Sequence, residues 1–261
     1  MTKHPFHIVD YRPWPFTASI RSLLFFTGLI RWIHNFETFI ILWKIGFVIL
    51  LLTMWQWWRD IRREGTFQGK HSHKVELGLR LGMMLFIIRE ICFFFAFFWA
   101  FFHSSLSPGI EIGSVWPPKR TIAIKPLELP LLNTILLLSS GSTMTWAHIA
   151  IMVHDWYEAA VSIGWTVILG FSFTGLQMFE YLFCSFTMAD SVYGRTFYIA
   201  TGFHGFHVVL GAFFICIVGF RHRLGHFSGV HHFGLEARAW YWHFVDVVWL
   251  KLFLRLYWWG F

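Results

Sequence analysis

The chain has 261 residues, of which 56% are hydrophobic, 21% aromatic and 13% charged. Soluble domains carry about 25% charged residues, and a soluble fold of this length cannot hide so much apolar side chain, so the composition points to lipid as the solvent. The net charge of +7 lies in short groups beside apolar runs, not in one basic stripe, which argues for loop charge that sets orientation and against nucleic-acid binding.

The opening, residues 1–14, holds Lys3, His4, Asp10 and Arg12 between apolar residues. It is too short and mixed for a Ser- and Arg-rich transit peptide, so the chain is expected to be mature as written or made in the compartment that uses it. A spanning helix needs about 20 apolar residues. Candidate spans follow in order at roughly 16–34, 39–58, 77–104, 131–153, 157–186, 192–220 and 235–259. The first is the weakest, flanked by Arg21 and Arg31. The second ends in Trp55, Trp57 and Trp58, before a charged loop from Arg59 to Glu76. The third is rich in Phe, and a loop with Pro108, Gly109, Gly113, Pro117 and Pro118 follows it. The fourth carries a small polar patch, Ser139 to Thr143, of the kind that lets helices approach closely in lipid. The expectation is an all-α membrane protein with seven transmembrane helices in a single membrane domain over residues 1–261. Basic residues in short loops divide nine to six in favour of the N-terminal side, which places the N-terminus where the protein is synthesised.

Cys92, Cys184 and Cys216 lie in apolar runs without CxxC spacing and read as buried thiols. Glu90 stands mid-span, where an ionised carboxylate costs at least about 2.5 kcal/mol. Two readings stay open: a proton-linked carboxylate, or a structural hydrogen bond to a neighbouring helix. Arg89 points roughly 100° away from Glu90 along the helix and reaches either Glu90 or Glu180. His222 and His226 form HxxxH, followed by His231 and His232, but only His71 and His73 stand in the other loop, too few boxes for a membrane di-iron site. His148, His204, His207 and His243 offer no established matched pair for haem. A more persuasive grouping is Trp57, Trp58, Arg59, Arg62, Arg63, Glu64, His71 and His73 on the same side as Arg221, His222, Arg223, His226, His231 and His232. Basic and imidazole groups above aromatic rings suit a phospholipid headgroup; ordinary interfacial charge is the plainer reading. A free-standing proton transporter using Glu90 is the alternative function, although the spans carry few polar groups beyond Glu90, Gln177 and Glu180.

Long strings of this sequence resemble subunit III of the haem–copper cytochrome c oxidases. They include Phe97-Phe98-Trp99-Ala100-Phe101-Phe102-His103-Ser104-Ser105-Leu106 and Val115-Trp116-Pro117-Pro118-Lys119. The strongest are Ala200-Thr201-Gly202-Phe203-His204-Gly205-Phe206-His207-Val208 and Trp240-Tyr241-Trp242-His243-Phe244-Val245-Asp246-Val247-Val248-Trp249. Shorter matches at Trp57-Trp58-Arg59-Asp60 and Tyr257-Trp258-Trp259-Gly260 extend the likeness almost end to end. The resemblance implies seven helices, the first two splayed from a five-helix bundle, with phospholipid, cardiolipin being one candidate, in the cleft. It implies no redox centre in this chain: haem a, haem a3 and copper are expected in the partner subunits I and II. It implies a non-catalytic core subunit that stabilises subunit I and supports proton uptake, among accessory oxidase subunits and membrane phospholipids. The complex would reduce O2 to water and pump protons in the mitochondrial inner membrane, with this N-terminus on the matrix side. Glu90 matches the family's carbodiimide-reactive carboxylate. Trp58, Arg63, Glu64, His71, Arg221, His226, His231 and His232 match its lipid positions, and Trp57 adjoins them. The sequence departs from the family's pattern at Arg89, Ile149, Arg195, Arg238, Lys251 and Arg255, mostly by adding positive charge.

Overall fold

A computed structural model describes residues 5–119, 121–229 and 232–260, so His231 of the expected lipid set lies outside the described residues. The described chain is all helical: α1 (Trp14–Ile33), α2 (Phe39–Thr66), α3 (His73–Leu106), α4 (Leu129–Met152), α5 (Trp156–Leu182), α6 (Val192–Arg223) and α7 (Phe233–Leu252). A π-helical turn, Phe253–Trp258, continues α7. Six helices, α1 to α6, are long and apolar enough to cross a membrane. The seventh has 20 residues and interrupts its apolar face with Glu236, Arg238, Asp246 and Lys251.

Local chemistry sets the helix ends. Pro15 sits in the first turn of α1, where its missing N–H costs nothing. Asp155 caps α5 by accepting from Glu158 N at 3.0 Å, and Ser191 caps α6 by accepting from Gly194 N at 3.2 Å. The α2 helix continues to Thr66, beyond the apolar stretch that stops near Trp58. Hydropathy marks where the chain leaves the apolar layer, whereas the backbone stays helical through Arg59–Gly65 because nothing there breaks it.

Two compact units divide the chain, Met1–Leu79 and Arg80–Phe261. In the first, α1 and α2 meet at reciprocal glycines. A Cβ on Gly28 would lie 2.6 Å from the Trp43 backbone nitrogen, and one on Gly46 would lie 2.8 Å from that of Phe25. Only glycine permits this approach, and in lipid such close packing drives helix pairing. Trp32 stacks on Trp43 at 5.6 Å beside this seam.

In the second unit α4 packs on α5 and α7, α5 on α6, and α6 on α7. Its centre is Trp242, whose indole fits between Gly170 of α5 and Gly211 of α6. A Cβ at either glycine would stand 2.8 Å from the ring. Its Nε1 donates to Ser140 Oγ at 2.9 Å, and Trp249 Nε1 donates to Thr134 Oγ1 at 3.0 Å. Both rings thus bury their surface and satisfy their one donor on α4, as a buried indole must.

Candidate functional site

Glu90 lies on the buried side of α3 and is 9% exposed. Its Oε1 accepts from Arg89 Nη2 at 2.8 Å and Nε at 3.2 Å. The adjacent residue reaches the carboxylate despite the angular offset of their Cβ atoms, because the guanidinium folds back along the helix over the Phe86 ring, 4.8 Å from its centroid. Glu180, the other partner considered for Arg89, is held by Tyr257.

The second oxygen, Oε2, lies 3.1 Å from His207 Nε2 of α6. His207 Nδ1 lies 2.7 Å from the carbonyl of Phe203. A carbonyl only accepts, so Nδ1 carries hydrogen, and a neutral ring then turns a bare lone pair toward Glu90. A carboxylate facing that lone pair makes no hydrogen bond. The 3.1 Å contact becomes a hydrogen bond when a proton lies between the two side chains, on the imidazole or on the carboxyl. Phe93, Phe94 and Tyr241 surround the His207 ring, with centroids 6.1, 5.1 and 6.3 Å away.

The expected lipid residues fall in both units. In the first, Trp58 and Arg63 are exposed on the polar end of α2, with Trp57 half-buried. Glu64 is 4% exposed and engaged within the protein. It pairs with Arg12 and stands 3.3 Å from His7 Nε2. Further ties hold the opening segment against the same corner: Trp14 Nε1 donates to Asp60 at 2.8 Å, Lys70 Nζ to Asp10 at 2.6 Å, and Ser72 Oγ to the Pro5 carbonyl at 2.7 Å. His71 meets His7 edge-on at 5.4 Å, over Gly65, where a Cβ would lie 2.7 Å from its Nδ1.

This packing sets the charge state of the opening segment. Burial holds the His7 pKa below 6.5, and the cations of Lys70 and Arg12 add to that, with Asp10 opposing. The Lys70 ammonium on Asp10 holds that carboxyl below its ordinary range.

In the second unit, Arg221, His226 and His232 gather where α6 gives way to α7. Arg221 lies over Phe227, 4.7 Å from the ring centroid. His232 Nδ1 donates to the Ser228 carbonyl at 3.2 Å, and its ring meets His148 at 5.3 Å. Nearby, Arg80 pairs with Glu236 at 3.0 Å. Arg238 lies over Phe214 at 4.9 Å and Arg255 over Phe102 at 5.4 Å. Among the described residues no group of three or more His, Cys, Asp or Glu side chains is placed to hold a metal ion.

Sequence reasoning singled out Glu64 as a lipid residue but not its cluster with His7 and Arg12, nor Asp60, as a site. Their partners lie tens of residues apart, and only their polarity beside apolar helices could have drawn attention. Asp246 was also missed, although a buried acid in a membrane helix is itself a signal. It packs against Gly141, with His243 Nδ1 3.6 Å away.

With this geometry in view, comparison with known proteins decides the family. The description "Cytochrome c oxidase subunit III" matches residues 4–261. The chain belongs to the cytochrome c oxidase subunit III family. It is 56% identical to cytochrome c oxidase subunit 3 of Aedes aegypti over 257 residues, covering 98% of this chain and 97% of the relative. It is 55% identical over 260 residues to that of Heterololigo bleekeri, covering both chains fully (100% and 100%). The same identity, 55% over 260 residues, holds for that of Prototheca wickerhamii, with coverage of 100% and 99%. Membership of the subunit III family thus spans the Glu90 helix, the α6 histidines and both tryptophans of the α7 core.

Proposed function

We propose that the chain is a non-catalytic core subunit of a cytochrome c oxidase complex, an oxidoreductase of the respiratory chain. The observation that carries this reading is the family match over residues 4–261. In this reading α7 is a seventh span, the whole chain is one membrane domain, and its N-terminus faces the matrix of the mitochondrial inner membrane. Haem a, haem a3 and copper reside in subunits I and II, on which this subunit packs. Accessory oxidase subunits and membrane phospholipids complete its surroundings.

Glu90 serves as a proton-linked carboxylate through the proton it shares with His207, and Arg89 fixes its other oxygen. Trp57, Trp58, Arg63, His71, Arg221, His226, His231 and His232 bind phospholipid headgroups, cardiolipin among the candidates. The exposed guanidinium of Arg63 and the neighbouring Trp58 suit an anionic headgroup at the membrane face. Glu64 acts indirectly, by holding Arg12 and the opening segment in place.

Purification in mild detergent through a tag on this chain tests the assignment. The expected preparation absorbs as haem a and contains subunits I and II with bound phospholipid. A colourless preparation of this chain alone, under conditions that preserve membrane complexes, would favour a free-standing proton transporter instead.

A further inference from the structure

The C-terminal end of α5 holds a polar corner that the reading above does not use. Glu180 is 4% exposed, and so is Gln177 one turn earlier. Glu180 Oε1 accepts from the Tyr257 hydroxyl at 2.7 Å and from Gln177 Nε2 at 3.4 Å. The other oxygen, Oε2, has no protein partner, and neither has Gln177 Oε1. Asn133 of α4 is fully buried, and neither its Oδ1 nor its Nδ2 is partnered.

The helix register brings Asn133 to the same level. Thr143 of α4 and Thr166 of α5 share a hydrogen bond at 2.8 Å. Counting ten residues away from that pair in opposite directions along these antiparallel helices sets Asn133 at the level of Leu176, one residue before Gln177. The Trp249 bond to Thr134 and the Trp249–Tyr257 ring contact at 5.8 Å bring the end of α7 to this level as well. The titratable groups facing Glu180 are the phenols of Tyr181, Tyr193, Tyr198 and Tyr257, with Cys184 beyond them. No cation pairs with Glu180 among the described residues.

We propose that this corner is an internal water-binding site at which Glu180 takes up and releases a proton. Buried polar groups are almost always satisfied, by protein or by ordered water. A water molecule supplies two donors and two acceptors, and buried waters settle where several polar groups converge. One water donates to Glu180 Oε2 and Gln177 Oε1, and a second bridges toward the Asn133 amide. A buried carboxylate without a cation is costly to keep ionised. Hydronium delivered along the water gives its proton to Oε2, leaving the neutral acid and water, and release is the reverse. Tyr257 keeps its own proton throughout, so one proton and one charge change hands. The site shares no residue with Glu90 and His207.

Infrared difference spectroscopy of the purified oxidase complex across a pH jump, in H2O and D2O, tests the proposal together with a high-resolution cryo-EM map. A deuterium-sensitive carboxyl band should persist in Glu90→Gln and be lost in Glu180→Gln. Density for water should lie within hydrogen-bond distance of Oε2. Asn133→Leu, which removes a water partner without touching the acid, should shift the same band, and it serves if Glu180→Gln fails to assemble. A band unmoved by both variants, or a dry corner in the map, overturns the site. The same spectra can be recorded on the chain alone should it purify without other subunits, so this proposal and the assembly reading fail separately.

Discussion

Two of the three hydrogen bonds on Glu90 come from Arg89, and only one depends on another helix. A charge-assisted hydrogen bond contributes about 1.5 kcal/mol or more, equivalent to roughly tenfold in an equilibrium. Arg89→Ser should therefore raise the rate at which a carbodiimide modifies Glu90 by about tenfold, read by peptide mass spectrometry with Glu90→Gln as the blank. An unchanged rate would show that Arg89 does not restrain the carboxyl. His207→Phe removes the second anchor and should speed labelling further in the Arg89→Ser background. At the opening segment the reasoning runs through pH. The His7 pKa is depressed in the docked state, so the undocked segment binds the extra proton. Docking is then strongest above the ordinary histidine value of about 6.5 and weakens as pH falls through it. Amide exchange over residues 5–12 should accelerate between about pH 7.5 and pH 5.5, and His7→Phe should flatten that dependence.

Between helices, the controlling features are glycines that face backbone or a rigid ring. At Gly211 an added methyl would meet the Trp242 indole, which is held by Ser140 and Gly170 and has nowhere to turn. Overpacking of this kind costs about 1–3 kcal/mol. Gly211→Ala should lower the thermal midpoint of the detergent-solubilised protein, whereas the same change at Gly202, where a Cβ meets nothing within 4 Å, should leave it unchanged. Gly28→Leu should disrupt the α1–α2 pair and weaken cross-linking between cysteines placed along it. The glycines themselves were visible in the sequence, but their partners were not. Nothing in a linear reading says that Gly170 and Gly211 flank one indole, because that depends on which faces three helices turn toward one another.

Across the whole chain, the apolar runs were legible from composition because lipid exposure demands them continuously along a helix. The weak first run, with Arg21 and Arg31 at its flanks, proves to be a helix apolar enough to cross, and Arg21 turns to Thr53 of α2. The seventh run lost its clarity for the opposite reason. Asp246 is turned toward Gly141 of α4 and Glu236 toward Arg80, so protein rather than lipid receives these two acids. Glu90 and the α6 histidines fall in or near strings shared with the family, whereas pairings between distant residues, such as Arg12 with Glu64 or Trp14 with Asp60, leave no mark in a linear reading. The proposed seven-span topology, with the N-terminus on the matrix side, would set the two ends on opposite membrane faces. A C-terminal tag should thus be cleavable from the intermembrane side of intact mitoplasts while an N-terminal tag is protected. Protection of both would require an even number of spans.

The tryptophans of α7 carry a consequence for biogenesis. The first unit ends at Leu79 and contains the partners of its own helices, so it can close while most of the chain is still on the ribosome. The second unit cannot. Ser140 and Thr134 wait for donors on Trp242 and Trp249, and Gly170 and Gly211 line a slot that stays vacant until Trp242 emerges. The α4–α5 and α5–α6 contacts can form earlier, but the slot for Trp242 is filled only when the final tenth of the polypeptide is made. An insertion factor that engages this subunit has its longest task there, and a premature stop before Trp242 should leave a normally inserted but protease-sensitive intermediate.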